Sequence, residues 1–156
     1  MNWEAIGAVG EILGAVAVVI SLIYVGVQIR QQTREHRLAA IHEATQNFME
    51  SLKPFNDPQV AELWIRGLKD FDGLSEADKL QMISVLTLNL RAFQDAYYQA
   101  SENRLDDGIW DGMVRFYGTV LSTPGATRIW ELRKDAYSVQ FQRFVEEIPR
   151  SQYTVG

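Results

Sequence analysis

One carboxylate, Glu11, stands inside a 25-residue stretch (5–29, AIGAVGEILGAVAVVISLIYVGVQI) that holds no other charged side chain. A carboxylate among aliphatic side chains calls for a partner helix, a water-filled cavity or a bound proton. Two chemistries fit it. Glu11 either reaches outer headgroups and solvates the start of a helix, where negative charge suits the dipole, or joins copies of itself, with Glu4 one heptad farther out, in an acidic mouth for cations. Elsewhere the residues that could do chemistry are poorly spaced for it. His36 and His42 are six apart, on different faces of a helix rather than at the i, i+4 spacing of a metal pair, and no metal site is expected. Glu35, Glu43 and Glu50 read as a solvated or salt-bridged face. Asp106, Asp107 and Asp111 miss the EF-hand pattern, and helix capping accounts for the first two. There is no G-x-S-x-G, phosphate-binding loop or H-E-x-x-H. Trp64, Trp110, Trp130, Phe116, Tyr97 and Tyr98 fall at helical spacings and read as core. No enzyme and no cofactor are expected.

The element that carries Glu11 reads as a membrane-spanning helix. Residues 6–27 would be roughly 33 Å long, enough for a hydrocarbon core of about 30 Å. A cleavable signal peptide would need a basic start and a small-residue cleavage site, whereas the chain has Met1, Asn2, Trp3 and Glu4 and runs on into Gln28, Arg30 and Gln31. A buried core helix usually has a shorter apolar run, and a helix lying on the membrane surface needs a charged face. Arg30, Arg34 and Arg37 follow the span and no basic residue precedes it. Retention of basic residues inside predicts an outward N-terminus and a cytoplasmic remainder. Trp3 and Tyr24 suit the two headgroup levels.

At about 100° per residue, Glu4, Gly7, Gly10, Glu11, Gly14, Val18, Ser21, Val25 and Gln28 share one sector of roughly 120°. The opposite side holds bulky aliphatics, among them Val9, Leu13, Val16, Ile20, Ile23 and Val27. Positions 4, 7, 11, 14, 18, 21, 25 and 28 alternate steps of three and four, the seam of a left-handed helix pair. Gly10-x-x-x-Gly14 adds a notch for close approach. In lipid, small residues let backbones pack and polar side chains bond across the contact, so a partner helix is expected on this face.

Of 156 residues, those beyond the span suffice for one compact domain. A net charge of −5 argues against nucleic acid as a partner. With no cysteine, disulfides, thiolate metal sites and palmitoylation are excluded. The helical pattern continues past the span to Pro54, where Leu38, Ile41, Thr45, Phe48 and Leu52 supply an apolar side. Further helices are predicted over 58–69, from Ser75 to about Asn103 (Leu80, Ile83, Leu86, Leu90, Phe93 and Tyr97 inward), from Asp106 through Leu121, and over 126–133 and 138–148. No stretch alternates with period two as a strand would. The expected fold is all-α: a transmembrane anchor helix (1–29) continuing into a cytoplasmic helical bundle (30–148), with a flexible tail (149–156).

The opening Trp3-Glu4-Ala5-Ile6-Gly7, the Gly10-Glu11 pair and Tyr24 with Gln28-Ile29-Arg30-x-x-Thr33 resemble the start of an uncharacterised bacterial family of single-span inner-membrane proteins. The segment PGATRIWELRKDAYSVQFQRFVEEI is similar to that family's C-terminal region. The resemblance implies a bacterial inner membrane and no chemistry. The expected function is therefore self-assembly in the lipid bilayer as a homo-oligomer, as a scaffold or around a narrow pore. Two rivals stand beside it: an accessory subunit docking onto other membrane proteins, and a membrane-tethered ligand-binding domain or enzyme.

Overall fold

Helix boundaries in this chain are set by capping side chains and prolines. The computed structural model describes the backbone of residues 3–154 and the side chains of Glu11 and residues 13–154. Its elements are α1 (Trp3–Leu52), a 3-10 turn (Lys53–Asn56), α2 (Pro58–Lys69), α3 (Glu76–Ser101), α4 (Asp107–Val120), α5 (Pro124–Arg133), a second 3-10 turn (Lys134–Ala136) and α6 (Val139–Glu147). The fold is all-α, with no strand among the described residues. Nothing in α1 interrupts helix until Pro54 removes an amide donor. Asp57, Ser75, Asp106, Thr123 and Ser138 then open the five later helices. Each accepts a hydrogen bond from a backbone amide two or three residues on: Gln59 at 2.9 Å, Asp78 at 3.2 Å, Gly108 at 3.0 Å, Ala126 at 3.4 Å and Phe141 at 3.3 Å. Each such cap stabilises its helix by about 1 kcal/mol.

The end of α3 shows a different device. The predicted helix ran to about Asn103, but α3 stops at Ser101 because Asn103 takes a left-handed backbone, φ 56°. The Arg104 amide then donates to the Gln99 carbonyl and the Asn103 amide to the Ala100 carbonyl, both at 2.9 Å. This pair of bonds satisfies carbonyls that the helix end leaves open, and Asn tolerates the conformation better than most residues.

The chain divides into two compact units, Met1–Ala39 and Ala40–Gly156, and the division falls within α1. In the second unit α1 buries Ala40, Ala44 and Ser51, with Ile41 and Phe48 partly covered. This differs from the predicted apolar side: Leu38 is 58% exposed, and Thr45 is exposed too. A heptad reading weights large side chains, whereas here the buried positions of α1 are held by small ones, Ala40, Ala44 and Ser51. Leu80, expected inward, is 64% exposed, and Met82 instead packs under Gly67 of α2.

Aromatic rings fill the centre. Phe93 of α3 stacks on Tyr117 of α4 with centroids 4.0 Å apart and meets Trp110, Phe141 and Phe144. Beside this stack lies a buried polar chain. The Asn89 amide donates to the Ser51 carbonyl at 3.1 Å and to the Val85 carbonyl at 3.0 Å, and the Tyr117 hydroxyl donates to the Asn89 carbonyl at 2.8 Å. These bonds join the end of α1 to α3 and α4 through satisfied groups, the condition under which buried polarity does not destabilise. Residues 149–154 form no regular element, yet Tyr153 packs on the core and the Arg150 guanidinium donates to the Val145 carbonyl at 2.8 Å.

Burial holds the Tyr117 phenol well above its ordinary value of 10.0, because phenolate would lie in an apolar stack. Burial raises Tyr137 as well, opposed by the Arg91 guanidinium 4.5 Å over its ring. A raised folded-state pKa means that stability is whole below pH 10.0, where the unfolded phenols are still protonated, and falls as pH rises through the folded-state values. Urea titrations above and below that pH should therefore show alkaline loss of stability. Tyr117→Phe should flatten that loss while costing about 1 kcal/mol at neutral pH through the missing hydrogen bond.

Candidate functional site

The unbroken run of exposed apolar residues lies on the first half of α1. From Leu13 to Ile29 every residue is exposed, including Leu13 at 64%, Ile20 at 61%, Leu22 at 66% and Ile23 at 63%. Among the described residues one helix is long and apolar enough to cross a membrane: within Leu13–Asn56 an 18-residue window reaches a mean hydropathy of 1.9 with none of it buried.

On the predicted seam, Glu11, Gly14, Val18, Ser21, Val25 and Gln28 are all exposed. Trp3, Gly7 and Gly10 belong to α1, but their surroundings lie outside the described side chains. A methyl group built on Gly14 meets nothing within 4 Å, and the same holds at Gly26. The Ser21 hydroxyl donates to the Ala17 carbonyl at 2.9 Å, so its polarity is met within its own helix. Ser21 thus offers a small surface rather than a hydrogen bond seeking a partner. Thr33 does likewise, donating to the Ile29 carbonyl at 2.9 Å. Tyr24 is 63% exposed, and Arg30, Arg34 and Arg37 are exposed as well.

The other residues weighed for chemistry form no cluster among the described residues. His36 of the first unit and His42 of the second are both exposed, and no group of three or more His, Cys, Asp or Glu is arranged to hold a metal among the described residues. Glu50 pairs with Lys53 at 2.5 Å on the surface. Asp106 caps α4, Asp107 lies in its first turn and Asp111 faces solvent. Trp64 and Trp130 are buried, Trp110, Phe116 and Tyr97 are partly buried in the aromatic core, and Tyr98 donates from the surface to the Ser138 hydroxyl at 2.6 Å.

Several shallow hollows mark the described surface, among them two that are mostly apolar. One, of 390 Å³, is lined by Thr45 and Phe48 of α1 with Ile109, Gly112, Met113 and Phe116 of α4. The other, of 310 Å³, is lined by Ile65, Leu68, Lys69, Thr123, Pro124 and Tyr153. Neither brings a nucleophile to a base or two carboxylates together. Ser51 and Asn89, which tie α1 to α3, carry one signal in the sequence, a lone Asn within the apolar run LTLNL. The span of exposed aliphatics on α1 is therefore the strongest candidate surface. No protein-family model, curated protein or solved structure matches this chain.

Proposed function

We propose that this chain is a bacterial inner-membrane protein held by the apolar half of α1, with its N-terminus outside and its helical domain in the cytoplasm. Copies of it associate in parallel through the face that carries Gly7, Gly10, Glu11, Gly14, Val18, Ser21, Val25 and Gln28. The observation that carries this reading is the unbroken exposure of the aliphatics over residues 13–29. An apolar surface of that extent is not left to water, and lipid is the cover its length matches. Arg30, Arg34 and Arg37 on one flank support the direction. Small residues gathered on one side and bulky aliphatics on the other support a protein neighbour on the first and lipid on the second.

Particle mass in detergent tests the assembly, and two glycines make the test specific. Gly14 lies on the seam, and Gly26 lies about 120° around the helix from it. Because neither side chain position meets an atom of its own chain, isoleucine at either strains nothing within the protomer. Gly14→Ile is expected to weaken association at least tenfold by filling the notch, and Gly26→Ile to leave it unchanged. A monomeric particle for the native chain overturns self-assembly, and equal behaviour of the two variants overturns the face assigned to it.

A further inference from the structure

We propose that Arg30, Arg34 and Arg37 form a binding stripe for the phosphate of anionic phospholipids in the inner leaflet. The proposal rests on the membrane reading of α1 and adds a ligand class to it. Their spacing, i, i+4 and i+7, places all three within about 60° of one helix face. All three are exposed within the first unit, and no ion pair involving them occurs among the described residues.

The sequence also withholds any partner within the helix. The positions three and four residues from each arginine are Gly26, Val27, Gln31, Thr33, Leu38, Ala40 and Ile41, or another arginine of the stripe. The nearest acid, Glu35, lies on a different face. Like charges at i and i+4 repel in an isolated helix, so three unneutralised guanidiniums in a chain of net charge −5 call for an external anion. Position selects which anion. Arg37 is eight residues past Ile29, roughly 12 Å along the axis, and helix side chains lean toward the N-terminus, which here means back toward the bilayer. Long arginine side chains reach a headgroup layer from that distance, and guanidinium matches phosphate in two parallel hydrogen bonds.

Native mass spectrometry of the full-length chain in nonionic detergent tests this, with phosphatidylglycerol and phosphatidylcholine as the probes. Near-surface attraction per arginine corresponds to about fivefold in affinity, so preference for phosphatidylglycerol should reach on the order of a hundredfold at physiological salt and shrink as salt rises. A single Arg34→Gln should cost about fivefold. The variant carrying Arg30→Gln, Arg34→Gln and Arg37→Gln should retain both lipids equally, and the corresponding triple lysine variant should keep most of the preference, with circular dichroism reporting that each remains helical. Equal retention of the two lipids by the native chain overturns the proposal, as does a preference that survives the triple glutamine variant. Displacement of phosphatidylglycerol by millimolar inorganic phosphate or by a short oligonucleotide overturns the choice of lipid as the ligand. Alkaline carbonate extraction separates this failure from that of the anchor: an extractable chain overturns both readings, and a retained chain without lipid preference overturns the stripe alone.

Discussion

Gly125→Ala is expected to cost the helical domain about 3 kcal/mol, and Gly125→Val to prevent its folding at ordinary temperature. Gly125 lies in the first turn of α5 directly against α2, and a methyl group built there would overlap the Gly67 carbonyl oxygen and crowd the Leu68 α-carbon. The obstruction is backbone on both sides, so relief requires α2 and α5 to move apart. Gly67 is itself packed against Met82, whose sulfur would lie 3.0 Å from a methyl group on Gly67. Gly112 supplies the contrast. It also lies inside a helix, but a methyl group there meets only the tip of Arg115 at 4.0 Å. Gly112→Ala is therefore expected to stabilise by about 0.5–1 kcal/mol, the gain in helix propensity. Urea unfolding followed by circular dichroism would resolve the two signs, and equal effects at the two glycines would refute the α2–α5 close approach.

These two glycines show where the sequence was readable and where it was not. Helix starts were legible because capping is local chemistry: Asp57-Pro58, Ser75 and Asp106 announce α2, α3 and α4 within a few residues of themselves. Gly125 serves as a point of helix contact, and α5 begins at Pro124 rather than at the predicted 126. Nothing near it in the chain reveals that Gly67 lies opposite. The same holds for Ser51, Asn89 and Tyr117, which meet across 28 to 38 residues. It holds too for the Ala40 and Ala44 face, where small residues that pack look like small residues that merely fill. For the candidate site the apolar composition of α1 was visible at once, and the exposure of residues 13–29 agrees with it. Whether the proposed seam of that helix meets another copy depends on a second chain, which lies beyond any local signal in the first.

Phe93→Ala is expected to destabilise the second unit by about 4 kcal/mol, the usual cost of deleting a buried ring together with the cavity left behind. Phe93 is fully buried and is the ring that Tyr117, Trp110, Phe141 and Phe144 share, from α4 and α6. Its loss removes the surface on which three helices meet, and Tyr117, parallel to it at 14°, loses its stacking partner. Tyr97→Ala, at a partly exposed ring on the same helix, should cost no more than half as much. Thermal melting in detergent, followed by near-ultraviolet circular dichroism, measures the difference. The variant also separates the roles of the two units. In lipid the apolar half of α1 is held helical by its own backbone hydrogen bonds, since no water competes for them. Residual helix should therefore persist above the melting temperature of the Phe93→Ala domain, and if the seam of α1 drives association, the heated variant should keep its oligomeric mass. Dissociation in step with the loss of the aromatic stack would move the self-association surface from the anchor helix to the bundle.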